Sequence, residues 1–304
     1  MGAGAVGGYF GAKLAVAGHD VAFIARGKHL EAMNAGGLRI NNPSGDLVIR
    51  NARFTADPQQ VGAVDLILFC VKSYDTESAG QAIRPMASDQ TTILSLQNGI
   101  DNPEKLARVY RERQILPAVV YVGAQVTAAG VITHSTGGRI IFGQMDGGAS
   151  ETSKMIERTL VEAGIPCELS TEIQKVQWTK LLWNAPFCAI SCLTHSNMKQ
   201  IVESESLTTL ALDCMAEVQA AARTTGIDLP RQLFDDVLAF SKGLGEFKPS
   251  MLQDLEASKP LEFEAFNGIV AKLLEADGQS APINQTFYAT LKFFDQRIRA
   301  VARH

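Results

Sequence analysis

The run Gly2-Ala3-Gly4-Ala5-Val6-Gly7, followed by Gly8 and Gly11, constrains this chain more than any other stretch. Its spacing is GxGxxG. The first glycine permits a tight turn, the second lets a diphosphate approach the backbone, and the third allows a helix to pack closely on a strand. The amides of the helix that follows then present its positive dipole end to the phosphates. Tyr9–Ala17 reads as that helix, Gly18-His19-Asp20 as a turn and Val21–Ala25 as the next strand. In this context the motif points to a dinucleotide held by Gly2, Gly4, Ala5, Val6 and Gly7. A buried strand should lead into such a turn, yet only Met1 precedes Gly2. The expectation is that the usual first strand is missing from this sequence and that its two neighbours lack ladder bonds.

The end of the second strand selects between dinucleotides. A site for NAD places Asp or Glu there for the ribose hydroxyl, whereas Arg accommodates a phosphate. Here the residues are Ala25-Arg26-Gly27-Lys28, with no acid before Glu31, which favours NADPH/NADP. Arg26 can grip a phosphate bidentately; a solvated surface arginine is the other reading.

The rest of the first half alternates strand-like runs (Asp65–Val71, Thr91–Leu96, Ile115–Val122) with helical ones (Thr76–Ile83, Asn102–Tyr110), the pattern of a parallel sheet with crossover helices. Leu38–Ile40 with Leu47–Ile49, and Val131–His134 with Ile140–Phe142, read as two hairpins, followed by a helix at Glu151–Ala163 and a strand at Ile165–Leu169. Of 26 glycines, 21 lie in residues 1–170 and 5 in 171–304, where helical spacing takes over near 172–193, 206–226, 231–245, 258–277 and 284–302. The division predicted is an α/β Rossmann-type dinucleotide domain over 1–170 and an all-helical substrate domain over 171–304.

Composition excludes several other classes. With 28 basic and 32 acidic residues, a net charge of −4 and no basic stripe, a dedicated nucleic-acid binder is not expected. No apolar run approaches the roughly 20 residues that span a bilayer, and no export signal opens the chain, so a cytoplasmic location is expected. The 5 cysteines include no CxxC pair and read as reduced thiols without a metal site. A homodimer and a monomer are both allowed.

Polar residues inside apolar stripes mark the chemistry of the second half. Along the helix near 172–193, Ile173, Val176, Trp183 and Phe187 fall within about 80° of one another. Lys180 sits in the middle of that stripe, with Asn184 and Ser191 beside it, and Pro186 frees the carbonyl of Leu182. A lysine among core positions is costly unless paired or lining a cavity; snorkelling from the stripe's edge is the other reading. In the helix expected after Pro260, Glu262 lies at the edge of the face of Phe263, Phe266, Ile269, Val270 and Leu273. It reads equally as a site residue or as a first-turn acid favoured by the helix dipole. Lys72 and Gln97-Asn98-Gly99 stand at strand ends, where ligands of open α/β sheets bind, although turn or cap roles would also suit them. His134 and His195 lack acidic partners and read as structural or surface histidines.

Together these residues resemble the ketopantoate reductase (2-dehydropantoate 2-reductase) family over nearly the whole chain. The resemblance rests on Gly2–Gly11, Arg26, Val71-Lys72, Gln97-Asn98-Gly99, the run Trp178-Thr179-Lys180-Leu181-Leu182-Trp183-Asn184, Ser250-Met251-Leu252-Gln253-Asp254 and Glu262–Asn267-Gly268. It implies a 6-phosphogluconate dehydrogenase-like pair of domains with an active site in the cleft between them. It further implies that Lys180 is the general acid, that Glu262 contacts the substrate hydroxyl, and that Asn98, Asn184 and Ser250 position a small 2-oxo acid. Arg26 and Lys72 would bind the cofactor, with Asn98 beside it. One position departs from the pattern: Cys188 stands where the family commonly has a second asparagine. A thiol is a weak donor and acceptor, so reduction of another branched 2-oxo acid stays open, as does a non-catalytic NADP-binding sensor.

Overall fold

Apolar runs bounded by turn residues become the strands of the first half, and the segments between them wind into helices. In chain order these are α1 (Ala5–Val16), β1 (Ala22–Ile24), α2 (Gly27–Gly36), β2 (Leu38–Asn41), β3 (Leu47–Ile49), β4 (Arg53–Thr55), β5 (Leu66–Phe69), α3 (Thr76–Ala82), β6 (Thr92–Ser95), α4 (Asn102–Ala107), β7 (Ile115–Ala128), β8 (Val131–Phe142), α5 (Glu151–Glu162) and β9 (Cys167–Leu169). The computed structural model describes residues 1–301. They divide into one unit of Met1–Asn98 with Asn102–Ile173, and a second of Gly99–Asp101 with the chain from Gln174 onward.

In the first unit β5, β6 and β7 run parallel, and β7 pairs antiparallel with β8. β8 in turn takes β2 and β9 as parallel neighbours, and β3 pairs antiparallel with β2. This mixed sheet is Rossmann-like. The fully buried Phe10 of α1 and Leu38, Ile132 and Phe142 of the sheet belong to one core, and a Cβ on Gly8 of α1 would meet the tip of the Ile132 side chain, which would have to shift.

The expected hairpin of Leu38–Ile40 with Leu47–Ile49 is present as β2–β3. The second expected hairpin is not. Val131–His134 and Ile140–Phe142 both belong to the single strand β8, whose partner is β7. Gly137 (φ 74°) and Gly138 (φ 112°), read as a turn, instead form a bulge where the register slips opposite Tyr121 and Val122. The reversal itself is made at Ala129-Gly130.

At the glycine turn one residue does the work of a strand. The Met1 nitrogen donates to the Leu68 carbonyl at 2.8 Å, and Cys70 N donates to the Met1 carbonyl at 2.9 Å. Gly2 N and Ala3 N then both donate to Ile24 O at the end of β1. β1 and β5 lie in separate sheets, β1 pairing parallel with β4.

The second unit is helical: α6 (Ile173–Thr194), α7 (Met198–Val202), α8 (Glu205–Thr224), α9 (Gln232–Lys242), α10 (Ser250–Glu256), α11 (Ile269–Ala276) and α12 (Pro282–Val301). Leu182, Phe187, Met215, Phe234 and Phe266 are among its fully buried core residues. The helix expected over 258–277 starts later, at Phe263. Ser258 adopts φ 51°, Pro260 has no N–H to offer, and residues 259–262 are not helical. A π-helical turn, Glu264–Gly268, leads into α11. Glu262 therefore stands ahead of the helix rather than in its first turn, which corrects the placement expected for it. Among the described residues no helix is long and apolar enough to cross a membrane.

Candidate active site

The three motif glycines meet three different surroundings. Gly2 has φ 84°, and a Cβ there would come within 2.9 Å of the Cys70 and Val71 backbone. A Cβ on Gly7 would collide with the Gly2 carbonyl oxygen. Gly4 is exposed, with nothing within 4 Å of its Cβ position. The first and third glycines are thus consumed by the fold, while the second leaves an open approach to the backbone. Gly4 caps α1 without any side-chain hydrogen bond, and no acid lies in the helix's first turn, so Ala5, Val6 and Gly7 open a helix terminus suited to an anion. A dinucleotide diphosphate fits this cradle.

Arg26 is the exposed N-terminal flanking residue of α2, next to Gly27 (φ 54°) and the exposed Lys28. No acid lies in the first turn of α2. His29 links this helix to the glycine turn: one ring nitrogen meets Ala3 O at 3.0 Å and the other accepts from Gly130 N at 3.0 Å. With Gly130 N–H donating to Nδ1, Nε2 carries the proton and donates to Ala3 O.

Lys72 follows β5 and Asn98 follows β6, and a buried network joins their turns. Gln97 Nε2 donates to Val71 O at 3.1 Å and to Thr76 Oγ1 at 2.7 Å. Thr76 Oγ1 donates to Asn102 Oδ1 at 2.8 Å, and Asn102 Nδ2 donates to Asn98 O at 2.7 Å. Sequence reading singled out Gln97 but gave Thr76 and Asn102 no part, because polar residues at helix starts resemble ordinary caps.

In the second unit Lys180 is half-buried on α6, and Asn184, one turn later, is 5% exposed. Burial pulls the Lys180 ammonium down from its usual range to about 8, while Cys188 and Glu262 pull the other way. Both groups are therefore close enough to act on its charge. Cys188 is fully buried, and Glu262, at 4% exposure, is held among core residues. Lys180, Asn184, Cys188 and Glu262 are thus brought to one part of the unit. Ser250 is exposed at the start of α10, and its role rests on the resemblance alone.

Asn267, Asn284 and Glu217 support this region. Asn267 Nδ2 donates to Ala185 O at 3.0 Å and to Asn284 Oδ1 at 2.9 Å. Asn284 is gripped in turn by Glu217, whose carboxylate accepts from Ile283 N, Asn284 N and Asn284 Nδ2 at 2.7–2.9 Å. The two histidines set aside above differ in setting. His134 stacks on Tyr9 with centroids 4.4 Å apart and contacts Asn42 and Gly137 O; His195 is exposed with φ 53°.

Residues 1–147 match the family described as Ketopantoate reductase PanE/ApbA, and residues 172–295 match its C-terminal part. A 2-dehydropantoate 2-reductase of Mesorhizobium japonicum is 33% identical over 294 residues, covering 90% of each chain. The chain belongs to the ketopantoate reductase family. The crystal structure of a PanE/ApbA family ketopantoate reductase from Ralstonia eutropha JMP134 superposes with a TM-score of 0.92 at 32% identity, covering 98% of both chains. D-mandelate dehydrogenase, solved with NADH and anilino(oxo)acetate, superposes at 0.91 over 98% of both chains with 20% identity, which shows a shared fold. As a ketopantoate reductase family member the chain is an NAD(P)-dependent oxidoreductase.

Proposed function

We propose that this ketopantoate reductase family member reduces 2-dehydropantoate to (R)-pantoate with NADPH, the reductive step that feeds pantothenate synthesis. Residues 1–170 serve as the NADP-binding domain and 171–304 as the substrate domain. The observation that carries the reading is Lys180: a lysine amine brought to about 8, so that it can hold and release a proton near neutral pH, beside Asn184 and Glu262.

Gly2, Gly4, Ala5, Val6 and Gly7 hold the diphosphate, Arg26 meets the additional phosphate of NADPH, and Lys72 and Asn98 complete the cofactor contacts. When bound, NADPH supplies the hydride that adds to the C2 ketone. Lys180 Nζ donates its proton to the C2 oxygen as charge develops there, and the neutral amine regains a proton from solvent. Asn98, Asn184 and Ser250 orient the 2-oxo acid, and the Glu262 carboxylate accepts a hydrogen bond from its hydroxyl. The preference for NADPH over NADH is supported by Arg26 and Lys28, two exposed cations with no acid in the same turn. The 5 cysteines are all free thiols, which suits the reducing cytoplasm.

Cys188 favours a second reading, in which the preferred substrate is another branched 2-oxo acid, since a buried thiol offers a polar substrate group a weak partner. An assay of NADPH oxidation against ketopantoate and other branched 2-oxo acids, run on the native chain and on Lys180→Ala, tests both. Ketopantoate turnover that falls strongly in the variant is the expected result. Turnover of a different acid alone would favour the second reading, and cofactor binding without turnover of any acid would overturn both.

A further inference from the structure

Glu262 has an unusual attachment for a group asked to hold a substrate hydroxyl. It lies on a non-helical stretch, residues 259–262, after α10 and ahead of the π-helical turn. Upstream, Lys259 N donates to Asp254 O at 2.8 Å, and Ser258, at φ 51°, reverses the chain. Pro260 has no N–H. The first donor after that break is Leu261 N, immediately before Glu262, and it donates to Asp295 Oδ1 at 2.9 Å across 34 residues. Asp295 lies on α12 and is 5% exposed. Its other oxygen accepts from Arg299 Nε at 2.6 Å, one turn along the same helix. A buried carboxylate satisfied on both oxygens is a rigid anchor, because moving either partner would leave a charge without compensation.

We propose that Asp295 is the positioning residue for Glu262: it fixes the peptide that enters Glu262 and so sets where that carboxylate meets the substrate hydroxyl. The Asp295–Arg299 pair orients the acceptor, and the acceptor orients the peptide. The proposal rests on the reading above that Glu262 binds the hydroxyl. Its effect is therefore selective. At a pH well below 8, where the Lys180 ammonium on α6 stays protonated, loss of the anchor weakens recognition of the hydroxyl and leaves the proton donor to work as before.

The test compares ketopantoate with trimethylpyruvate, the same acid without its hydroxyl, as substrates of the intact chain. Asp295→Ala is expected to raise KM for ketopantoate by about tenfold, the worth of one hydrogen bond to a charged group. Its kcat stays within about twofold, and KM for trimethylpyruvate is unmoved, a split that general loosening would not produce. Asp295→Asn keeps a carbonyl acceptor for Leu261 N–H and is expected to restore most of the ketopantoate KM. Asp295→Glu keeps the charge facing Arg299 but displaces the acceptor, so it behaves like the alanine variant and carries the test if that variant does not fold. Equal effects on both acids, no effect on either, or native behaviour of Asp295→Glu would overturn the proposal. Glu262→Gln runs in parallel: if it fails to discriminate between the two acids, the role of Glu262 falls and the proposal with it. If it discriminates and the Asp295 variants do not, Asp295 alone is at fault.

Discussion

Asn267 donates to the Ala185 carbonyl across 82 residues, tying the segment that follows Glu262 to the helix that carries Lys180. The bond is buried, and Asn267 itself is fully enclosed. The proposed proton donor and hydroxyl acceptor thus share a fixed internal reference within one unit.

That reference depends on Glu217, which accepts three hydrogen bonds from Ile283 and Asn284. Glu217→Ala leaves these donors without an acceptor, and the expected loss is about 3 kcal/mol of stability. Chemical denaturation, read as a shift in midpoint at constant slope, checks it.

Lys180 should impose a falling limb on the pH profile of the reductive kcat/KM. In the proposed reaction the ammonium is the acid, and with its pKa lowered to about 8 activity is full below that value and declines about tenfold per pH unit above it. Oxidation of pantoate requires the neutral amine and rises through the same range. Lys180→Ala lowers turnover by on the order of 10²–10⁴-fold, with NADPH affinity nearly intact. Steady-state profiles in both directions decide the matter.

Gly4 and Gly7 should fail in opposite ways. Gly4→Ala adds a methyl group to open space, so the melting temperature holds while NADPH binds more weakly. Gly7→Ala drives a methyl group into the Gly2 carbonyl and costs about 1–3 kcal/mol of stability. Thermal melts paired with cofactor titration separate the two.

Arg26→Ala should lower kcat/KM for NADPH by about tenfold while leaving NADH almost untouched, because only the phosphorylated ribose calls on a guanidinium. The NADPH loss shrinks at high salt, where an exposed ion pair is screened. Parallel kinetics with both nucleotides give the ratio directly.

The order of architectures was legible because glycine, β-branched runs and helical spacing are local properties, and so was Lys180, whose place among apolar neighbours follows from helical rotation alone. Gly137-Gly138 shows where local reading stops. A left-handed glycine pair serves a turn or a bulge equally well, and only β7, whose Tyr121 and Val122 lie opposite, decides between them. Glu262 stayed ambiguous for a similar reason: the non-helical stretch 259–262 places it ahead of the helix whose apolar face the spacing defines. Asn267 and Asp295 gave no signal of position, since their partners lie 82 and 34 residues away.

β8 draws its neighbours from both sides of the sequence: β2 more than eighty residues upstream, β7 beside it, and β9 after a full helix. A nascent chain that ends before Val131 has strands β2 and β3 with no sheet to join, and α1 with no Ile132 to rest upon. The glycine turn precedes every strand of the sheet in the chain and is among the last parts to acquire its support. Dinucleotide affinity should therefore emerge late in synthesis, all at once, when the hairpin of β7 and β8 closes the sheet.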